Sequence, residues 1–132
     1  MSFGTTNTMI KGMAFVAYSV RDVPRARKFY QDVLGLLPSE SFGDDFVEFE
    51  VGNTTFAIDG APPGIAPGSS SGATFEVDDV IAARAHLLER GVAVTDVHES
   101  PVCHFAFATD PDGNSFGIHQ RKSGISAAKE SP

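Results

Sequence analysis

Apolar residues alternate with small ones through Val16, Tyr18 and Val20, and this period of two predicts a strand. The period then changes. Val23, Ala26, Tyr30, Val33 and Leu34 recur at helical spacing, with Asp22 as N-cap, Pro24 inside the first turn and Gly35 as the stop. Alternation returns over Asp45 to Val51, where phenylalanine or valine is set against glutamate, so one face is buried and the other is not. Thr54 to Ile58 follows a Gly-Asn turn as a further strand. The same succession then recurs: a strand over Ala73 to Val77, a cap at Asp79, helical Val80, Ala83 and Leu87, and a stop at Gly91. Strands are predicted at Val92 to Val97, Val102 to Thr109 and Ser115 to Gln120. The last two flank Asp110-Pro111-Asp112-Gly113-Asn114, whose residues suit a tight reversal.

The recurrence is also literal. A shift of 57 residues lays Val20 on Val77, Asp22 on Asp79, Val23 on Val80, Ala26 on Ala83 and Arg27 on Arg84, with Tyr18 on Phe75. Downstream, G-N-T-T-F-A-I-D from Gly52 and G-N-S-F-G-I-H from Gly113 match Phe56 with Phe116 and Ile58 with Ile118 across one gap. Matched blocks in the same order argue for duplication of one supersecondary unit that reads strand, helix, strands. The expected division is a single domain over residues 1–121: repeat one at about 11–59, a Gly/Pro/Ser-rich linker at 60–72, and repeat two at about 72–121. The linker could cover or border a pocket. The first nine residues and the tail at 122–132 lack periodicity and are expected to be loose.

Composition narrows the partners. At 132 residues, 42% hydrophobic and 20% charged, the chain has the make-up of an ordinary soluble domain with a real core. A net charge of −7 disfavours a nucleic-acid binder and is compatible with a cationic ligand. One cysteine, Cys103, excludes an intrachain disulfide. No apolar run approaches a membrane span. The short apolar segment Gly12 to Val20 reads better as a strand than as a signal-peptide core, so the expected compartment is the cytoplasm.

Three phrases carry a resemblance: V-R-D-V-x-R-A-x-x-F-Y-x-x-V-L-G over Val20 to Gly35, F-E-V-D-D-V over Phe75 to Val80, and D-P-D-G-N-x-F over Asp110 to Phe116. Residues 11–121 resemble the vicinal-oxygen-chelate superfamily of glyoxalases, bleomycin-resistance proteins and extradiol dioxygenases. The resemblance implies an α+β fold in which two βαβββ repeats pair into a curled mixed sheet around a cleft, with helices on the outer face. It also implies a homodimer, which would relieve unpaired strand edges. Metal-dependent members place ligands on the first and last strand of each unit. The matching positions here are Phe15, Ala57, Gly72 and Gly117, and none has a donor side chain. A one-residue slip in the alignment gains only the hydroxyl of Ser71. The resemblance therefore implies the cleft, while the residues imply no metal and no cofactor.

Strand alternation then names the cleft lining. If Phe15 and Gly72 face inward, so do Ala17, Ser19, Thr74 and Glu76; if Ala57 and Gly117 do, so do Asp59 and His119. Glu48 and His104 lie on the polar faces of the middle strands. His119 and Glu76 are the candidate acid–base groups. Phe15, Ser19, Glu48, Ala57, Gly72, Thr74, His104 and Gly117 are the candidate ligand-binding set, and the bland alternative is a solvated rim. Gly72 and Gly117 would leave room for ligand atoms, unless Phe15 plugs the cleft. Cys103 reads as a buried apolar residue rather than a nucleophile, and His86 and His98 as surface groups. The expected function is a metal-free small-molecule binder. The alternatives are a glyoxalase-like lyase or isomerase, or a dioxygenase-related enzyme, metal-independent or with a displaced metal site; or else an interaction module with a vestigial cleft.

Overall fold

The two cap aspartates stand where each leading strand gives way to a helix, and both do the same work. Asp22 accepts a hydrogen bond from the Arg25 amide, and Asp79 accepts from the Ile81 and Ala82 amides, which satisfies donors that a helix start leaves open. A computed structural model describes residues 9–60 and 62–123; the expected loose ends at 1–8 and 124–132 lie outside the described residues. Repeat one runs β1 (Val16–Ser19), α1 (Val23–Lys28), a π-helical turn (Phe29–Val33), β2 (Leu37–Phe42), β3 (Phe46–Val51) and β4 (Thr54–Asp59). Repeat two runs β5 (Thr74–Glu76), α2 (Val80–Glu89), β6 (His98–Glu99), β7 (Cys103–Thr109) and β8 (Ser115–Arg121).

Each repeat makes one four-stranded mixed sheet, β1-β4-β3-β2 and β5-β8-β7-β6. In both, the leading strand is an outer strand paired parallel to the last strand of its repeat, and the remaining pairs are antiparallel. This is the α+β fold of two βαβββ units that the repeat implied.

One face of each sheet carries its helix. There Tyr18, Phe49, Phe56, Ile58, Phe116 and Ile118 are buried with Ala26, Tyr30, Val80 and Leu87 from the helical segments. The rings form one cluster across the repeat boundary: Phe56 meets Phe75 at 5.6 Å and Phe29 meets Phe116 at 6.1 Å. Such pairs add about 0.5–1.5 kcal/mol each beyond the area they bury.

The polar half of the boundary is a clasp. Asp110 accepts from the Tyr30 hydroxyl at 2.8 Å, and Asn114 donates to Asp110 and to the Ser19 carbonyl. Burial, then the negative charge of Asp110, raises the Tyr30 phenol far above its ordinary value; burial likewise raises Tyr18. The linker is stitched into this clasp. Its Ser70 accepts from the Ser19 amide on Oγ, while its amide donates to Asn114 and its carbonyl accepts from the Ser115 amide. Arg21 and Arg25 close the outer side on Asp112, whose side chain is wholly buried.

The structure differs from the sequence expectation in four places. The helix expected to run to Gly35 opens into a π turn at Phe29, where the Leu34 amide bonds to the Phe29 carbonyl. Leu37–Phe42 is an outer strand without an apolar face, and so without a pattern to reveal it. Val92 to Val97 makes only an isolated bridge at Val94, because the Thr95 hydroxyl takes the Phe107 amide that a strand carbonyl would have taken. Lys122, expected to begin a loose tail, donates its amide to the Val102 carbonyl and its ammonium to Glu99.

Candidate functional site: the open faces of the two sheets

The face of each sheet turned away from its helix is set by strand register. In the first sheet, Ala17, Ala57, Glu48 and Glu40 lie side by side across the strands, as do Ser19, Asp59, Phe46 and Phe42. Phe15 joins them, its ring 5.4 Å from Phe46, which is itself 5.9 Å from Phe42. In the second sheet, Thr74, Gly117 and Phe107 form one row and Glu76, His119, Phe105 and His98 the next. His98 stacks on Phe105 at 5.5 Å, and Phe105 meets Phe107 at 5.7 Å. Three of these rings are substantially exposed: Phe15 at 44%, Phe42 at 56% and Phe107 at 45%.

Glu76 and His119 meet on this face, with Nδ1 of His119 2.5 Å from Oε1 of Glu76. The other carboxylate oxygen accepts from the Arg121 amide at 2.8 Å. Desolvation works to raise the Glu76 pKa, but the Arg121 amide and His119 outweigh it and hold the carboxyl below its ordinary value. A charged carboxylate on Nδ1 orients the imidazole and leaves Nε2 outside that contact. In repeat one the matching positions hold Ser19 and Asp59. Ser19 is 1% exposed beneath the linker, and its hydroxyl donates to the Ile65 carbonyl, so the structure does not offer it to a ligand.

The remaining candidates divide. Glu48 is half-buried beside buried Ala57 on the open face of the first sheet. His104 is not with His119; its register partners are Gln120 and Glu99, on the helix-bearing face. Cys103 is buried, with its sulfur 3.0 Å from the Ser100 hydroxyl. Gly72 sits at φ +103°, so a backbone that side chains avoid explains this glycine without a ligand. Gly117 leaves less room than expected: a Cβ there would lie 3.0–3.4 Å from the Thr74 side chain, which occupies the space. A groove of about 240 Å³ takes in Phe15, Gly72 and Thr74 but not Gly117 or His119.

The sequence reading missed Phe105, Phe107 and His98. The reversal at residues 110–114 holds the signal. With Ser115 opposite Thr109, Phe107 must face Gly117 and Phe105 must face His119. The apolar pattern misled because the helix side is already filled by Phe75 and Phe116, and leaves room only for Ala106 and Ala108.

Residues 12–118 match the family model described as Glyoxalase/Bleomycin resistance protein/Dioxygenase superfamily. The chain belongs to that superfamily. Among curated proteins none matches it in sequence. Among solved structures it is similar to TnmS3, an antibiotic binding protein from Streptomyces sp. CB03234, at 29% identity and TM-score 0.77, covering 87% of this chain and 99% of that one. A glyoxalase/bleomycin resistance protein from the same organism shares 30% identity at TM-score 0.73, covering 83% of this chain and all of the other. Lactoylglutathione lyase from Agrobacterium tumefaciens, at 22% identity, TM-score 0.70 and coverage of 86% and 96%, shares the fold.

Metal-dependent members of the glyoxalase superfamily need donors where this chain has Phe15, Ala57, Gly72 and Gly117, and those side chains do not fit a metal. Among the described residues no group of three or more His, Cys, Asp or Glu is placed to hold one. The Glu76–His119 pair supplies two donors, one short of a useful site.

Proposed function

We propose that this member of the glyoxalase superfamily is a metal-free small-molecule-binding protein. Its ligand lies on the open sheet faces, and a second copy of the chain completes the pocket. The observation that carries this reading is the lining. The open faces carry aromatic rings in contact, Phe15–Phe46–Phe42 on one sheet and His98–Phe105–Phe107 on the other, and of the four positions matched to the donors of metal-dependent relatives one, Phe15, belongs to these rings. Rings of this kind hold a ligand by stacking, and Glu40, Glu48 and Glu50 beside them favour one with a cationic group. The net charge of −7 acts in the same direction, and TnmS3 is an antibiotic binding protein. A homodimer would cover the exposed apolar side chains of Phe15, Leu37, Phe42 and Phe107, which a lone chain leaves to water.

The Glu76–His119 contact favours a second reading, a metal-independent lyase or isomerase in which His119 moves a proton and Glu76 orients it. A thermal-shift screen of antibiotics and metabolites separates the two. The binder reading expects stabilisation by ring-bearing cations that are recovered unchanged. Chemical conversion of a stabilising compound, abolished in His119→Ala, would establish the enzyme instead. No helix among the described residues is long and apolar enough to cross a membrane. A cytoplasmic location remains part of this proposal.

A further inference from the structure

The aromatic cluster and the polar clasp join the repeats over only part of their boundary. Beyond Phe75 the two units part, and between them lies a gap of about 540 Å³. The π turn and the β3–β4 turn wall it on one side, β5 and α2 on the other. It is a different place from the open faces, since its floor is Leu87 and Ile118 on the helix-bearing side. Its volume is within the range of sites that enclose a drug-sized molecule, about 300–1,000 Å³. Val33, Leu34, Leu36, Val51 and Ala83 make its walls apolar.

Two polar features interrupt that lining. His86 bridges the gap, its Nε2 donating to the Val33 carbonyl at 2.9 Å. The second feature is the outer edge of β5. Val77 donates its amide to the His119 carbonyl, and Ala73 accepts from the Gly117 amide, so the odd-numbered residues serve the ladder to β8. In a parallel pair the intervening residues, Thr74 and Glu76, then turn N–H and C=O the other way. Both residues line the gap, and among the described residues no strand covers that edge. An unpaired strand edge beside an apolar slot calls for a partner with a donor and an acceptor side by side.

We infer that the gap between the repeats is a second small-molecule site, for an uncharged, planar, fused-ring compound with a lactam or imide edge. The rings fill the slot between α2 and the π turn, and the edge pairs with the backbone of β5. The inference does not depend on what binds the open faces.

The probe is 1,8-naphthalimide, whose rings and imide N–H match both features, with N-methyl-1,8-naphthalimide as the partner lacking the donor. Methyl-resolved NMR titration of the unmodified protein is expected to show saturable one-to-one shifts at Leu34, Val51, Leu87 and Ile118. Ala17 and Ala57 on the open face should stay still. Fluorescence titration should give at least tenfold weaker binding for the N-methyl compound. Ala83→Phe, checked for folding by circular dichroism, should lose tenfold or more by filling the slot. Shifts at Ala17 or Ala57 in place of the gap residues, absence of saturable shifts, or equal affinity of the two probes would overturn the inference. Loss of naphthalimide binding as protein concentration rises would show that a second copy occupies the gap, and would overturn it as well.

Discussion

Asn114→Ala should destabilise this protein far more than an ordinary surface polar change. The side chain of Asn114 is fully buried and makes three hydrogen bonds at 2.8 Å. It accepts from the Ser70 amide of the linker, and donates to the Ser19 carbonyl of repeat one and to Asp110 beside it. A neutral bond contributes about 0.5–1.5 kcal/mol net, and one to a charged group about 1.5–3 kcal/mol. Truncation does not orphan every partner. Ser19 keeps the Gly68 amide at 3.3 Å, and Asp110 keeps the Tyr30 hydroxyl. The expected loss is therefore about 3 kcal/mol, read as a lower denaturant midpoint at unchanged slope in urea unfolding. Asn114→Asp sharpens the test. It sets a second carboxylate where the amide now donates to Asp110, so it should destabilise more than alanine at neutral pH and recover on acidification. A loss below about 1 kcal/mol for alanine, or an aspartate variant indifferent to pH, would refute the clasp as what joins the repeats.

Further changes test other parts of the argument. Gly68 has φ +88° and lies against the Asp112 carbonyl, 2.4 Å from where a Cβ would sit, so Gly68→Ala should destabilise by about 1–3 kcal/mol in the same unfolding assay; no change would mean that the linker is not seated there. The chain has two tyrosines and no tryptophan, and both phenols are raised, so folding favours their neutral form and stability falls as pH climbs past the ordinary phenol value. Phenolate absorbance at about 295 nm should accordingly appear only with cooperative alkaline unfolding, and a gradual titration near pH 10 in the folded protein would contradict the burial. Glu76 is lowered, chiefly by the Arg121 amide and then by His119, so its contribution is present above the ordinary carboxylate pKa and lost as pH falls through the folded one; Glu76→Gln should flatten the acid limb of stability below about pH 5, and an unchanged limb would contradict both contacts.

The fold was legible because the chain states its unit twice. Asp22 and Asp79 cap the helices, and the matched apolar phrases become the paired strands β1 with β4 and β5 with β8. The parts that were not legible are those where the backbone or a neighbour decides. Nothing local marks the π turn at Phe29, which sets the Val33 carbonyl against His86. Pro38, Ser39 and Glu40 give an outer strand no face to read. Part of the geometry of the candidate site was legible: the common face of Glu76 and His119 follows from alternation along two paired strands, and the structure places the two side chains in contact. His104 went to the wrong face because its strand was oriented by polarity, whereas the turn at Gly113 fixes the register. Gly72 was read as space, but its positive φ gives it a backbone role.

The central claim is that a ligand lies on the open sheet faces, against rings from both. Calorimetric titration of the strongest stabilising compound from the screen into the native protein, Phe46→Ala and His119→Ala tests it most directly. Phe46 stands for the first sheet and His119 for the second. The account predicts that each substitution weakens binding by about tenfold or more, the loss expected when one stacking or hydrogen-bonding contact is removed, with urea stability little altered. Native affinity in either variant would show that its sheet does not hold the ligand.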